Sequence, residues 1–226
     1  MATTQILAMA DLQQQLAARL QSHKDSLPPP TSSRVRVKKD GFYLPDGSQL
    51  DELEAVIVDM RFVNTFYSKR YVPGQIDPPD CWSVSSDANN MLPSEDASKK
   101  QNDICGIAGE AGCCPKNEWN SAPGGGAGKA CGNRLRIAVV TPDATDKSPT
   151  YIIDLPPTSA GALIKLTRSM SVPYQVVTMK FTTDQKVDYP KVLIEVMGPA
   201  PDALAPYLMG LIDKSQDLLD RGFNFD

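Results

Sequence analysis

Five cysteines, Cys81, Cys105, Cys113, Cys114 and Cys131, are the residues of this 226-residue chain best suited to chemistry, and all five lie in one stretch. The stretch is poor in aliphatic residues and rich in glycine and proline, so it has little from which to build a core of its own. Four thiolates around a metal ion would supply the missing centre. Cys81, Cys105, Cys114 and Cys131 are the expected ligands, separated by 23, 8 and 16 intervening residues. Adjacent side chains diverge in an extended turn, so Cys113 or Cys114 can serve but not easily both; Cys114, followed by the rigid Pro115, is preferred. An isolated four-thiolate site with no redox partner favours Zn2+ over iron. It also leaves no open coordination position for a zinc enzyme. Buried structural cysteines without metal are the alternative.

A second chemical signal lies just before the cysteines. Arg61-Phe62-Val63-Asn64-Thr65-Phe66-Tyr67-Ser68-Lys69-Arg70-Tyr71 holds four aromatics and three basic residues without an acid. Single-stranded nucleic acid is bound by this mixture, because any base stacks on an aromatic face while Lys or Arg neutralises the phosphates. Arg61, Phe62, Phe66, Tyr67, Lys69, Arg70, Tyr71 and, further on, Trp82, Lys129, Arg134 and Arg136 are the candidate nucleic-acid-binding residues. The competing reading makes Phe62 and Phe66 core and Tyr67 and Tyr71 half-buried strand aromatics. Arg34, Arg36, Lys38 and Lys39 alternate with Val35 and Val37, a pattern that turns charge to one face and valine to the other. The net charge of −4 does not oppose phosphate binding, which depends on local potential.

Catalysis has little to work with. The one histidine, His23, stands in the N-terminal region, away from any thiol with which it could form a nucleophile pair. The run Pro123-Gly124-Gly125-Gly126-Ala127-Gly128-Lys129-Ala130 lacks the first glycine of a phosphate-binding loop and has Ala130 where a Mg2+-binding hydroxyl is required. No run approaches the roughly 18 apolar residues of a membrane span. The N-terminus lacks the form of a signal peptide, and clustered thiols of odd number suit a reducing cytoplasm better than a disulfide framework. A non-enzyme without membrane association is the expectation.

These residues must be positioned by a scaffold. Residues 1–26 carry an amphipathic helical pattern through Ile6, Leu7, Met9, Leu12, Leu16 and Leu20, and the triple proline in residues 27–33 reads as an extended linker. Strands are expected at 34–38, 55–64, 134–141, 151–155, 175–182 and 191–197. A helix capped by Thr158 or Ser159 runs to Met170, and another covers 204–219. With the first short strand set aside, the order is three strands, a helix and two strands. That order predicts a mainly β, OB-like five-stranded barrel over residues 34–199, with a zinc-binding insertion at 73–132 between its first two strands and a helix and tail at 200–226. In such a barrel the second and third strands and the loop holding the insertion form the oligonucleotide face.

The sequence Pro78-Pro79-Asp80-Cys81-Trp82-Ser83, then Cys105, Cys114-Pro115-Lys116-Asn117-Glu118-Trp119-Asn120-Ser121 and Gly128-Lys129-Ala130-Cys131, resembles a family of single-stranded-DNA-binding proteins of tailed bacteriophages. Leu155-Pro156-Pro157-Thr158-Ser159 and Val176-Val177-Thr178 are similar to the same family, so the resemblance covers roughly residues 55–182. Family members more often carry a close Cys-x2-Cys-Pro, whereas Cys105 and Cys114 stand further apart here. The resemblance implies a replication or recombination accessory protein in the host cytoplasm that binds single-stranded DNA with little sequence preference. The C-terminus, ending Phe223-Asn224-Phe225-Asp226, carries acid and aromatic residues, as do the tails by which single-strand binders engage replication or recombination proteins, with an ordinary chain end as the alternative. The sequence allows a homo-oligomer. The alternative is a phage structural or host-interaction protein whose zinc module stabilises a protein-binding loop.

Overall fold

The computed structural model describes residues 12, 14–16, 19, 33–69, 77–106, 113–124 and 126–223. The chain divides into two compact units, Met1–Ser32 and Ser33–Asp226. In the first, residues 12, 14–16 and 19 are helical, and Leu12 and Leu16 are exposed. The rest of the expected amphipathic helix and the proline linker lie outside the described residues. No helix among the described residues is long and apolar enough to cross a membrane.

The second unit is mainly β, built on a curled sheet. Its strands are β1 Arg34–Lys38, β2 Gly41–Tyr43, β3 Gln49–Leu50, β4 Glu52–Phe66, β5 Cys81–Ser85, β6 Cys131–Val140, β7 Tyr151–Leu155, β8 Val177–Thr183 and β9 Val192–Pro199. Helix α1 spans Pro157–Ser169 and α2 spans Ala205–Asp220. The strand order is β3-β2-β1-β7-β6-β4-β8-β9, with β5 paired to β4 as well. The five expected barrel strands therefore lie side by side as β7-β6-β4-β8-β9. The strand set aside in the sequence reading, β1, joins them: it pairs in parallel with β7 through Arg34 opposite Ile152 and Val35 opposite Ile153.

The long strand β4 organises the sheet. One edge pairs with β6 from Val56 to Phe66, while the other is shared between β8 at Glu52–Val56 and β5 at Phe62–Phe66. A register shift between Ile57 and Asp59 sharpens the local bend and twist, as β-bulges do. Side chains alternate across the pleat. Ala55, Ile57, Met60 and Phe62 join Leu135, Ile137, Ile153, Met179 and Phe181 in the main core, which α1 completes with Ala160 and Leu163. The predicted cap of α1 is corrected. The helix begins at Pro157 with no side-chain cap, and the Ser159 hydroxyl instead accepts the backbone N–H of Val192 on β9 (2.8 Å). Because the helix starts at Pro157, Thr158 and Ser159 lie within its first turn rather than at the N-cap, and the Ser159 hydroxyl serves a strand.

The opposite face is covered by the C-terminal segment. Leu204, Leu211 and Leu219 pack on Val56, Val58, Ala138, Val140 and Ile152. Beyond α2 lies a polar knot. Arg136 is fully buried; its Nε donates to Asp154 Oδ1 (2.8 Å), and one guanidinium nitrogen donates to the carbonyls of Leu219 (2.9 Å) and Arg221 (2.6 Å). Arg34 donates to Asp154 Oδ2 (2.5 Å) and to the Gly222 carbonyl (3.2 Å). The Phe223 ring meets both guanidinium groups, 5.2 Å from Arg34 and 4.9 Å from Arg136.

Burial raises the Asp154 carboxyl, but the neighbouring arginines, Arg136 foremost, outweigh it and hold Asp154 below the ordinary carboxylate range. A carboxyl depressed on folding stabilises above its unfolded pKa of about 3.9, and the contribution is lost as pH falls through the folded value. The stability advantage of the native chain over Asp154→Asn, measured by urea unfolding across a pH series, is therefore expected to be full at neutral pH and to shrink below about pH 4. Arg136→Ala, which removes one of the two arginine partners of Asp154 and strands the carbonyls of Leu219 and Arg221, should cost about 3–5 kcal/mol at neutral pH.

Candidate metal and nucleic-acid site

Cys81 is the first residue of β5 and Cys131 the first of β6, and both stand directly opposite Phe66, the last residue of β4. Opposed residues share a face, so the three form one buried cluster with Ala130 against it. Two further thiols arrive from the connecting segment. The Cys105 N–H donates to the Met91 carbonyl (3.0 Å) and the Cys114 N–H to the Cys105 carbonyl (3.4 Å). Cys114 then leads into a 3-10 turn at Pro115–Asn117. The result is one small cavity lined by Cys81, Cys105, Cys114 and Cys131 together with Asn64, Phe66, Trp82, Lys116 and Asn117.

The fifth thiol is placed elsewhere. Cys113 is buried and its Sγ donates to the carbonyls of Cys105 (3.6 Å) and Cys114 (3.7 Å). Gly106 makes room for it: a Cβ there would sit 3.1 Å from the Cys113 Cα, and the residue has φ +59°, a conformation glycine adopts without penalty. Asn117, 1% exposed, clamps the segment by donating to the carbonyls of Cys105 (3.3 Å) and Gly106 (2.8 Å). Lys129 reaches across to Asn117 Oδ1 (3.4 Å) and also donates to Asn133, whose amide in turn donates to Asn64 on β4.

All five cysteines are buried, and Cys81, Cys105, Cys114 and Cys131 are free thiols. Burial raises the pKa of Cys81 and Cys105. It drives Cys131 up to about 12, with charge on Cys105, Cys114 and Cys81 adding to the rise, so all four groups lie within electrostatic reach of one another. Among the described residues no three His, Cys, Asp or Glu side chains are gathered tightly enough to form a metal-binding group as they stand. The surroundings nevertheless match a thiolate cluster in kind. The Ser83 hydroxyl and the Asn64 amide lie beside Cys105, where each favours its charged form, and Ser83 Oγ is buried with no other partner.

The aromatic and basic candidates separate into two groups. Phe62 packs against the main core and Phe66 is 7% exposed, so neither offers a ring to a base; the alternating pleat turns both inward with Asn64. Trp82, 8% exposed, lies on the outer face against Val63 and meets the Phe223 ring edge-on at 5.7 Å. Gly222 packs so closely on its indole that an added Cβ would sit 2.8 Å from it. Arg61 is buried and holds Asp59 (2.7 Å) and Asp220 (2.8 Å), and Arg136 belongs to the knot described above. Those three expected contacts are thus occupied by the C-terminal segment. Tyr67 and Lys69 are exposed, while Arg134 and Lys129 are half-buried. Arg70 and Tyr71 lie outside the described residues, as do the last three residues of the tail. The outer face of β6 and β7, which the barrel reading assigns to oligonucleotide, is covered by α2 at Ala138, Val140 and Ile152. It remains open toward Arg134 and Tyr67.

Sequence reasoning missed Asn117 and Asn133, whose roles depend on partners distant in the chain. Comparison with protein-family models, curated proteins and solved structures found no match. Because Asn117 is buried and bonded to two carbonyls, Asn117→Ala is expected to cost about 1–3 kcal/mol through the unpaired acceptors it leaves. Urea unfolding of the variant checks this.

Proposed function

We propose that the protein is a zinc-containing, non-enzymatic binder of single-stranded DNA with little sequence preference, acting in phage replication or recombination. The observation that carries the reading is the exposed Tyr67 just beyond the end of β4 together with the half-buried Arg134 of β6, which stands opposite Val63. The exposed Tyr67 phenol lies within electrostatic reach of the Arg134 guanidinium. A base would stack on the ring while the guanidinium, with Lys69 nearby in sequence, takes the phosphate. Zinc held by Cys81, Cys105, Cys114 and Cys131 would supply structural rather than Lewis-acid chemistry. It would tie β5 and β6 to the connecting segment, and the Ser83 hydroxyl and Asn64 amide would support the thiolates from outside, as outer partners of metal ligands do. The strand order β7-β6-β4-β8-β9, with α1 between β7 and β8 in sequence, supports an OB-like barrel whose outer edge carries β1.

A phage structural or host-interaction role is the second reading. It is favoured by Leu193, Val196 and Met197, which are 45%, 44% and 51% exposed along β9, the last strand of the sheet order. Exposed apolar side chains on an edge strand mark protein contacts.

Two measurements decide. Purified chain analysed by native mass spectrometry should carry a single zinc ion. Cys81→Ser and Cys131→Ser should each lose it, and Cys113→Ser should keep it; retention in all three would remove the proposed ligand set. In a salt titration with an unstructured oligonucleotide, Arg134→Ala should weaken binding and reduce the log–log salt slope by about 0.7, the value for one phosphate contact on a single strand. Undetectable binding of the native chain at low salt would eliminate the DNA reading and leave the second.

A further inference from the structure

The segment between the last two cavity cysteines carries one large apolar group that neither the core nor the thiols use. Trp119 is 65% exposed, far above what an indole normally retains in a folded domain. It is not on a loose loop. The Asn117 N–H donates to the Cys114 carbonyl (2.7 Å), and the Ser121 hydroxyl donates to the carbonyls of Lys116 (3.0 Å) and Glu118 (2.6 Å) and accepts the Ala130 N–H (3.0 Å). The Ala122 N–H donates to the Gly128 carbonyl (3.1 Å), closing the loop on itself. Asn120 sits at φ +66°, a conformation asparagine tolerates.

One face of the indole is already engaged. Lys129 Nζ stands over the ring at 5.1 Å, and that ammonium is itself anchored to Asn117 and Asn133. The ring is therefore held from behind by a fixed cation while most of its surface meets water. Between Cys114 and Cys131 the chain carries Lys116 and Lys129 against one acid, Glu118, and Lys116 is exposed. An immobilised aromatic plane with local positive charge loses little entropy on stacking, and its charge suits a polyanion better than an apolar peptide.

We infer that Trp119 is a base-stacking platform for single-stranded nucleic acid, positioned by Lys129 and carried on the cysteine module. The inference rests on the DNA-binding reading and extends it to a residue and a surface outside the Tyr67–Arg134 pair. With Trp119 in contact, the module acts as part of the binding surface and not only as a brace behind it.

The chain has two tryptophans, so fluorescence can tell them apart. The full chain is titrated with an unstructured thymidine oligonucleotide at low salt. Trp82→Phe, which leaves Trp119 as the one indole, should retain quenching on binding. Trp119→Phe should abolish the quenching yet bind within a fewfold of native, because a phenyl ring still stacks. Trp119→Ala should bind about 10- to 100-fold more weakly, the loss expected for one stacked base. The exposed ring predicts unchanged thermal unfolding for Trp119→Ala, so a binding loss cannot be ascribed to misfolding. Native affinity in Trp119→Ala, or quenching that persists in Trp119→Phe, overturns the inference while leaving DNA binding intact. Failure of the native chain to bind the oligonucleotide overturns both.

Discussion

The buried contact between Arg136 and Asp154 is the constraint around which the rest of the second unit is arranged. A guanidinium with no exposed surface needs its donors satisfied, and one carboxylate does not suffice. The remaining donors are met by carbonyls of the chain just past α2, at Leu219 and Arg221. This requirement fixes where α2 ends, directs Phe223 between two guanidinium groups and onto Trp82, and brings Asp220 to Arg61. Replacing such a knot by apolar residues would often be neutral for stability. Its evident effect here is positional, because it holds the C-terminal segment in one register along the outer face.

The cavity depends on a different device. Strand β4 is long enough to serve two neighbours on one edge, and the second of them, β5, delivers Cys81 to the same level as Cys131 on β6. The two thiols that bracket the insertion are therefore held by sheet registration, whereas Cys105 and Cys114 are held by turns and by the Asn117 amide. Half of the cluster is set by strand pairing and half by turns of the connecting loop. A metal bound there would act chiefly on the loop half.

Much of this architecture is legible in the residues. Strands with strong period-two patterns, such as β1 and β7, fall on the expected residues, and α1 and α2 differ from expectation by about a residue at each end. The short β2, β3 and β5 are not visible in the pattern. Cys81-Trp82-Ser83-Val84-Ser85 alternates, but two serines and a cysteine give one face little apolar signal, and pairing to β4 decides it. The cysteines declare themselves through scarcity of other core material, and the structure brings the four expected ones to one cavity. The arginines do not declare their fate. Arg134 and Arg136 are indistinguishable by type and spacing, yet one is half-buried with a spare donor and the other is enclosed. That difference is set by residues more than 80 positions away, beyond the reach of any local pattern.

The lateness of those partners in the chain has a bearing on synthesis. While β6 and β7 are leaving the ribosome, Arg136 and Asp154 can meet, but the carbonyls of Leu219 and Arg221 do not yet exist as partners. Water must serve in their place. The outer face of the sheet, with Val56, Val58, Ala138 and Val140, also stays bare until α2 emerges. A nascent chain interrupted before residue 219 would thus display both an exposed apolar strip and an underbonded guanidinium, features by which quality-control proteases and chaperones distinguish unfinished products from finished ones.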